Sequence, residues 1–497
     1  MLEGMVSRPE HECQNCKRLR DIVAQQEDQL AQQEAQLAQQ EAQLAQLQAL
    51  VTRQQATIAK LQERIARLEK DSSNSHKPPS SDIVKPKRDK PRSAGNRRTG
   101  AQPGHRRHER TPFAPQDIDE TRYHTLDDGC PTCGGILQPT RQDSRVLLQQ
   151  VELRHKPVVI TEHRAPVYWC THCREHHQAR LPGYLQGAGL AGAGLTALVG
   201  WLKGAAHMSY SNIQAFLKDV LGVDFATGYL AKLVRKAGDA LDAAYTGLLK
   251  ALPDQALLNV DETGHKECGK KWWTWCLRAP EFTVFKIDDS RGSKVLVDVL
   301  GDEFNGVLGC DYFSAYRKYM KDVGCQVQFC LAHLIRDVKY LTTLGGRDRK
   351  YGERLLDCLR DLFHTIHQRE GMRPARFRRA MERRRKQLIH VATHPPWTGK
   401  ARNIAERFRR HGESYVRFIT TPGIEPTNNV VERALRFVVM QRRMTQGTRG
   451  EAGRIWSERI WTAVATCRQQ GRSIYEFLHN ALDAHFAGQP APSLLHP

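Results

Sequence analysis

Three acidic residues, each tied to an element with a clear sequence pattern, restrict the fold of the C-terminal two thirds of this chain. Asp261 and Asp311 each come directly after a short apolar run, Ala256–Val260 and Val307–Cys310, that predicts a buried strand. Glu432 lies in a predicted helix that an Asn pair opens, which is a good capping signal. The pattern therefore predicts a fold that presents two strand ends and a helix with an acidic residue on each.

The sequence from residue 255 onward alternates between strand and helix patterns. Three strands, a helix, a strand, a helix and a strand form the order of an RNase H-like fold, in which the first and fourth strands are neighbours. We therefore expect an RNase H-like core over residues 255–344 and 421–445, with Asp261 beside Asp311. The elements predicted besides the two runs above are strands at Trp272–Arg278, Phe282–Ile287 and Val327–Phe329 and a helix at Val295–Leu300.

The three carboxylates predict a metal-dependent catalytic site. Mg²⁺ prefers oxygen ligands in octahedral geometry, so Asp261, Asp311 and Glu432 could bind two Mg²⁺ ions, with Mn²⁺ as a substitute. Two such ions would activate a water, and then a DNA 3′-hydroxyl, for in-line attack on a phosphodiester. In the alternative interpretation, Asp261 caps a turn and Glu432 forms a surface pair with Arg436, four residues along the helix. Glu262 should point to the opposite face of its strand.

The net charge of +21 and the pI of about 9.5 favour a polyanionic partner, for which DNA is the obvious candidate. The excess is concentrated in two blocks. His76–Arg110 contains eleven Lys and Arg against three Asp and Glu, and Gly345–Thr420 contains twenty against eight. A solvated basic surface without a function is the alternative, and the concentration of charge argues against it.

No apolar N-terminal segment resembles a signal peptide, and no uninterrupted apolar run approaches the roughly 20 residues that span a bilayer. We therefore expect a cytoplasmic protein without a membrane partner. In that compartment the thirteen cysteines are expected to be reduced thiols or metal ligands.

Residues 17–71 predict a coiled coil, and hence a homo-oligomer, because apolar residues recur every seven positions. Leu47, Leu61 and Leu68 form a second row that Gln54 interrupts. A solvated low-complexity helix is the alternative. The first row consists of Val23, Leu30, Leu37, Leu44, Val51, Ile58 and Ile65. Residues 72–115 then lose all periodicity and predict a disordered basic linker that could follow a DNA backbone.

Residues 116–185 predict a zinc-binding domain of the zinc-ribbon type. Two Cys-x-x-Cys pairs present thiolates on tight turns, and the expected structural Zn²⁺ ligands are Cys130, Cys133, Cys170 and Cys173. A nearby histidine could replace one ligand, although a surface position is favoured for His172, His176 and His177. Cys13 and Cys16 form a further pair without a second pair nearby, and their role stays open.

Residues 190–250 predict a helical domain in which Tyr210–Ala237 has the outline of a helix-turn-helix. The turn would be at Leu221-Gly222-Val223, with Thr227 capping the second helix. An ordinary helical hairpin has the same pattern. The apolar face of the first helix would contain Ile213, Phe216, Leu217 and Val220, and DNA contacts are expected from Lys232, Arg235 and Lys236, with Tyr229 beside them.

Residues 345–420 predict a basic helical insertion in the catalytic core, and residues 446–497 a C-terminal helical element. The arginines of the insertion would contact phosphates rather than bases. Those assigned to DNA are Arg376, Arg378, Arg379 and Arg383. The chain as a whole is expected to be a multidomain α+β protein.

The catalytic motifs resemble those of the insertion sequence 66 family, which are bacterial transposases of the DDE type. The similarity covers nearly the whole chain. It includes the linker motif Ser72-Ser73-Asn74-Ser75, the paired cysteines and the element Cys330-Leu331-Ala332-His333. The catalytic motifs themselves are Asp261-Glu262-Thr263, Asp311 with Ser314-Ala315-Tyr316, and Asn428-Asn429 with Glu432, Arg433 and Arg436. Tyr312-Phe313 depart from the pattern, since the family usually has a small residue after the second aspartate.

This resemblance implies an enzyme of the bacterial nucleoid that binds the terminal inverted repeats of its element, cleaves the 3′ ends and joins them to target DNA. Helper proteins of the same element are possible partners, and Arg433 and Arg436 are assigned to DNA. One alternative is a metal-dependent nuclease without strand transfer. The other is a non-enzymatic DNA-binding regulator, which would not need the three carboxylates.

Overall fold

The computed structural model describes residues 14–68, 113–122, 132–133, 149–151, 157–174, 176–396 and 399–495. The helices in chain order are α1 (Gln14–Leu68), α2 (Gly183–Ala188), α3 (Ala193–Gly204), α4 (Tyr210–Leu221), α5 (Thr227–Ala240), α6 (Asp242–Ala251), α7 (Lys294–Leu300), α8 (Ser314–Val323), α9 (Leu331–Thr342), α10 (Gly346–His367), α11 (Pro374–Thr393), α12 (Gly399–Thr420), α13 (Asn429–Thr445), α14 (Glu451–Gln470) and α15 (Ile474–Phe486). The strands are β1 (Val167–Trp169), β2 (His176–Gln178), β3 (Leu257–Glu267), β4 (Lys270–Arg278), β5 (Thr283–Asp288), β6 (Val307–Cys310) and β7 (Gln326–Phe329). The chain is thus a mixed α+β protein in which helices predominate.

The chain divides into two compact units. The first comprises residues 1–85 and 245–450, and the second residues 86–244 and 451–497. The predicted catalytic core and its insertion therefore belong to the first unit, together with α1. The helical segment before the core belongs to the second unit up to residue 244, and the C-terminal helices α14 and α15 belong to it as well.

The first unit is built on a five-stranded sheet with the strand order β5-β4-β3-β6-β7. Strands β3, β4 and β5 form an antiparallel meander, whereas β6 is parallel to both β3 and β7. The first and fourth strands of this sheet are neighbours, as the order of elements predicts. The strand β6 is buried along its whole length, which is typical of a central parallel strand covered on both faces.

Strand β3 is longer than the sequence predicts. The predicted strand ends at Val260, but β3 continues to Glu267 and pairs with β4 along that extension. The two strands are joined at Cys268-Gly269, where both residues have positive φ angles of 48° and 79°. Two such residues suit the tight two-residue connections of hairpins. Asp261 therefore lies inside a strand rather than at its end.

The predicted insertion over residues 345–420 is helical and consists of α10, α11 and α12. Helix α12 is kinked at His411, whose φ of −138° is not helical. It covers the edge strand β7: the Gln328 side chain donates to the Tyr415 carbonyl at 3.1 Å and accepts from the Phe418 N–H at 2.9 Å. The insertion thus protects a sheet edge that would otherwise offer unpaired backbone groups.

The second unit is a helical assembly in which α3 packs against α5 and α15, and α14 packs against α5. The stretch Gly183–Gly204 is long and apolar enough to cross a membrane by length and composition alone. Here it is divided into α2 and α3, and Ala197 and Val199 of α3 are fully buried. A core helix passes the same test, so the stretch is weak support for a membrane segment.

Helices α4 and α5 occupy the positions predicted for the helix-turn-helix, with differences in detail. The connection ends at Ala226, which is the N-cap of α5 and offers no side-chain cap, so Thr227 is the first helical residue instead. Gly222 adopts the left-handed conformation after α4. Of the predicted apolar face, Ile213 is buried but Val220 is 45% exposed. The two helices are present as predicted, but their arrangement does not distinguish a helix-turn-helix that binds DNA from an ordinary helical hairpin.

Helix α1 covers nearly all of the predicted coiled coil. Its first apolar row is exposed: Leu30, Leu37 and Leu44 have 57%, 58% and 57% of their surface accessible. The row is therefore a continuous apolar strip open to water along the described helix. The predicted linker and Cys13 lie outside the described residues, apart from residues 113–115 at the end of the linker.

Candidate active site

The pairing of β3 with β6 brings the two predicted aspartates to the same level of the sheet. In the parallel register, Asn259 is opposite Gly309, and Asp261 and Asp311 each follow two residues later. A side chain at Gly309 would clash, because its Cβ would lie 2.4 Å from Asn259 Oδ1. The glycine thus permits the close approach of the strands that carry the two acids.

Glu432 is positioned by the segment that precedes α13. Asn428 is the N-cap of this helix, but its side chain does not cap it. Instead, Asn428 Nδ2 donates to the Val260 carbonyl at 2.8 Å, and the Asn428 N–H donates to Cys330 Sγ at 3.1 Å. The first turn of α13 is thereby tied to the residue before Asp261, so Glu432 belongs to the same site.

The electrostatic environment of Asp261 links it to the other acidic residues of the site. Burial raises the pKa of Asp261 well above its usual value, and the negative charges of Glu262, Asp311 and Glu432 raise it further. The Glu262 N–H donates to Asp261 Oδ1 at 2.9 Å and opposes the rise. Carboxylates that repel one another in this way form a typical environment for divalent cations, which offset the repulsion.

The donor set fits Mg²⁺ or Mn²⁺. Asp261, Asp311 and Glu432 offer hard oxygen ligands from two strands and a helix. A further oxygen is available: Asn428 is 2% exposed, and its Oδ1 is buried without a hydrogen-bond partner among the described residues. A metal-bound water would satisfy such an oxygen.

Glu432 has partners on α9 that the sequence does not indicate. Arg336 Nη2 lies 3.2 and 3.4 Å from the two carboxylate oxygens, and His333 Nδ1 lies 3.6 Å from Oε1. Arg436, the partner in the surface-pair interpretation, is exposed. His333 belongs to the Cys-x-x-His element, which gives that element a place beside the site.

Cys330 of the same element is a structural thiol. It is 2% exposed, and burial raises its pKa to about 11, so the sulfur stays protonated at neutral pH. It accepts the hydrogen bond from the Asn428 backbone.

Glu262 lies among partners of its own. Its side chain is only 2% exposed, and Arg291 Nε and Nη2 approach its Oε1 at 2.8 and 2.7 Å. The Tyr316 hydroxyl donates to the other carboxylate oxygen. Tyr316 is part of the second sequence motif, whereas Arg291 carried no signal in the sequence beyond its charge.

The paired cysteines of the predicted zinc domain are described in part. Cys170, Cys173 and His177 have ligand atoms within 4.8 Å of one another, at the turn between β1 and β2. Cys173 Sγ lies 3.1 Å from His177 Nε2, and hydrogen bonds from the Cys173 backbone lower the pKa of Cys170. These features fit a Zn²⁺ site. Cys133 is exposed and stands outside this group, and Cys130 lies outside the described residues.

The basic residues assigned to DNA differ in accessibility. On α5, Lys232 and Arg235 are exposed, but Lys236 Nζ donates to the carbonyls of Gly187 and Ala188, both at 2.7 Å. Lys236 therefore has a structural role in fixing the end of α2. The other arginines assigned to DNA are all exposed: Arg376, Arg378, Arg379 and Arg383 on α11, and Arg433 and Arg436 on α13.

Three of the α11 arginines line one surface depression. Arg378, Arg379 and Arg383 line a shallow depression of about 640 Å³ together with Lys386 and one acidic residue, Glu382. The neighbouring Arg384 and Arg385 are instead engaged in ion pairs with acidic residues of α10, α11 and α12. The face is a basic surface suited to a polyanion.

Two comparisons relate this chain to known proteins. A family model described as "Transposase IS66 family" matches residues 188–454, which is more than half of the chain. A model of a family of unknown function, DUF6444, matches residues 18–111. The chain is also similar to the uncharacterized protein y4qI of Sinorhizobium fredii, with 24% identity over 352 residues. That alignment covers 64% of this chain and 64% of the relative.

Proposed function

This chain belongs to the transposase IS66 family, and we propose that it binds the terminal inverted repeats of an insertion sequence, cleaves the 3′ ends and joins them to target DNA. The observation that carries the proposal is the placement of Asp261 and Asp311 at one level of the paired strands β3 and β6, with Glu432 on the helix that Asn428 ties to Val260. We further propose that the five-stranded core is RNase H-like and that the protein acts in the cytoplasm, at the nucleoid.

The proposed mechanism assigns the three carboxylates to metal binding. Two Mg²⁺ ions, when bound, supply the charge that activates the attacking oxygen and stabilises the leaving one. Asp261 and Asp311 would hold them from the sheet, and Glu432 would complete the site from α13. Arg336 donates to both oxygens of Glu432 and would help to orient this carboxylate toward a cation.

The remaining parts of the chain would serve recognition and assembly. We propose that Lys232 and Arg235 of α5 contact DNA in a helix-turn-helix-like manner, and that the α11 face grips phosphates. The exposed row of α1 would pair subunits so that two DNA ends are held together. The group Cys170, Cys173 and His177 would bind one structural Zn²⁺, with a ligand from the segment around Cys130 and Cys133 completing the site.

The test uses the purified full-length chain, Mg²⁺ and a labelled duplex that carries the end of the encoding element. Nicking at the 3′ end followed by joining to a second duplex supports the proposal. Nicking without joining would favour the nuclease. DNA binding with neither reaction, in Mg²⁺ and in Mn²⁺, would contradict the enzymatic proposal and favour the regulator. Asp261→Asn serves as the inactive control.

A further inference from the structure

We propose that Arg291 is a DNA-binding residue of the active site, which grips a backbone phosphate next to the cleaved phosphodiester. The inference rests on the proposed function, because it assumes that the three carboxylates cleave DNA. It assigns Glu262 and Tyr316 as positioning residues that hold the guanidinium of Arg291 in place.

The position of Arg291 links the two segments that carry the catalytic aspartates. It lies in the connection between β5 and α7. Its Nε and Nη2 bind Glu262, the residue after Asp261, and its Cζ lies 4.0 Å from the ring centroid of Phe313, two residues after Asp311. The guanidinium thus contacts the residue after Asp261 and a residue that closely follows Asp311.

The guanidinium is also fixed in orientation. Its Cζ lies 4.4 Å from the ring centroid of Trp273 on β4, in addition to its contact with Phe313. Stacking against aromatic rings and a two-nitrogen contact with a carboxylate leave little rotational freedom to a planar guanidinium. Lys271 Nζ lies 4.9 Å from the same Trp273 ring, so a second cation extends the basic surface along β4.

The contrast in burial separates this arrangement from an ordinary buried ion pair. The Glu262 side chain is 2% exposed, but the Arg291 side chain is 42% exposed. An arginine has five N–H donors, and Glu262 engages only Nε and Nη2. Exposed donors in a fixed planar group match the oxygens of a phosphate, which arginine binds in a bidentate manner.

A fixed cation also suits the charge of the site. The charges of Asp311 and Glu432 act on Asp261, and negative charge on this group of carboxyl groups would repel an approaching DNA backbone. Metal ions offset this repulsion at the phosphodiester that reacts. Arg291 would offset the same repulsion at the neighbouring phosphate of the DNA strand.

The experiment measures whether Arg291 contacts one particular phosphate of the DNA. Single phosphates around the cleaved bond are replaced, one at a time, by neutral methylphosphonates in a duplex carrying the element's end. Binding is measured by fluorescence anisotropy in Ca²⁺, and nicking in Mg²⁺. We expect one substitution to weaken wild-type binding about 10-fold, because charge-assisted contacts are strong. The same substitution should have almost no further effect on Arg291→Gln.

Three further variants sharpen the test. Lys318→Gln removes an exposed charge from α8, where Lys318 pairs with Asp322, and should keep the wild-type profile. Arg291→Lys keeps the charge but loses the planar fork, so it should also lose the phosphate-specific effect. Glu262→Gln should weaken that effect while Mn²⁺ binding, followed by electron paramagnetic resonance, stays within about 2-fold.

The outcomes separate this inference from the proposed function. If wild type and Arg291→Gln lose binding at the same phosphates by the same factors, Arg291 contacts none of them and the inference is wrong. If Glu262→Gln abolishes Mn²⁺ binding, Glu262 is a metal ligand and its positioning role is wrong. If the wild-type protein shows the Arg291-dependent binding profile but never nicks DNA, the phosphate contact is supported. The proposed cleavage activity is then wrong.

Discussion

The side-chain amide of Asn428 donates a hydrogen bond to the carbonyl of Val260, 2.8 Å away, across a separation of 168 residues in the chain. This contact joins the start of α13 to the residue that precedes Asp261. Because Asn428 is 2% exposed, the bond is shielded from water and holds Glu432 in a fixed relation to Asp261. The side-chain amide of Asn428 thus helps to position Glu432, the third acid of the candidate site.

Replacing Asn428 by Ala should disturb the site more than the fold. We expect a loss of about 1 to 3 kcal/mol in the free energy of unfolding, because the Val260 carbonyl is left without its donor. Nicking should fall about 10- to 100-fold, since the loss displaces Glu432. The matched control is Asn429→Ala, which changes the exposed neighbour. Equal losses of nicking in both variants would contradict the anchoring role.

The three carboxylates should be essential for chemistry and dispensable for binding. Asp261→Ala, Asp311→Ala and Glu432→Ala are each expected to lower nicking by about three orders of magnitude or more, because metal binding is lost. Affinity for an element end, measured by anisotropy in the absence of divalent ions, should stay within about 2-fold of wild type. Substantial Mg²⁺-dependent nicking by Asp261→Asn would remove Asp261 from the proposed site.

His265 predicts how the stability of the first unit depends on pH. It is 4% exposed on β3, and burial, followed by the charge of Arg442, lowers its pKa to about 4 from the usual 6.5. The folded state therefore binds this proton less readily than the unfolded state. The contribution of the neutral imidazole to stability is fully present above pH 6.5 and is lost as the pH falls toward 4.

The measurement is the thermal unfolding midpoint between about pH 7 and pH 5. Wild type should lose more of its midpoint over this interval than His265→Gln, which keeps a hydrogen-bonding group opposite Thr448 but does not titrate. If the unfolding midpoints of the two proteins fall equally, His265 does not govern the pH dependence of stability.

The order of strands and helices in the core could be predicted from the sequence because each strand has a short apolar run of its own. The predicted and observed limits of β4 to β7 differ by at most two residues. The length of β3 could not be predicted, because Thr263, His265 and Glu267 lack an apolar pattern. Their strand conformation depends on pairing with β4.

The acids of the candidate site could be located from the sequence, but their partners could not. Arg291, Arg336 and Asn428 lie 29, 96 and 168 residues from the groups that they contact. An arginine of this basic chain has no local feature that distinguishes it from the others. Only the folded arrangement shows which ones face a buried carboxylate, and it likewise places His177, rather than His172, beside two cysteines.

The zinc site should contain an imidazole ligand. Full-length protein prepared under reducing conditions is expected to hold about one zinc per chain, and Cys170→Ala, Cys173→Ala and His177→Ala should each lower that content. His172→Ala is the matched control, because His172 is exposed on the same turn and lies outside the group. Protein without zinc, or a loss with His172→Ala equal to that with His177→Ala, would contradict the assignment.

The exposed apolar row of α1 should hold subunits together. In the heptad pattern, Leu37 and Leu44 occupy equivalent positions of this row, and both are more than half exposed in the single chain. Burying each leucine against a partner helix would stabilise the assembly by about 1.5 to 3 kcal/mol, so charged replacements should be severe.

The double variant Leu37→Asp and Leu44→Asp is therefore expected to shift the mass in solution, measured by light scattering, toward that of the single chain. Binding to one element end should change little, whereas complexes with two ends should be lost. The control places the same charges at Gln39 and Gln46, two residues further along the helix and off the row. If the leucine variant keeps the wild-type mass, assembly must depend on the catalytic unit or on DNA, and α1 is not the element that joins the subunits.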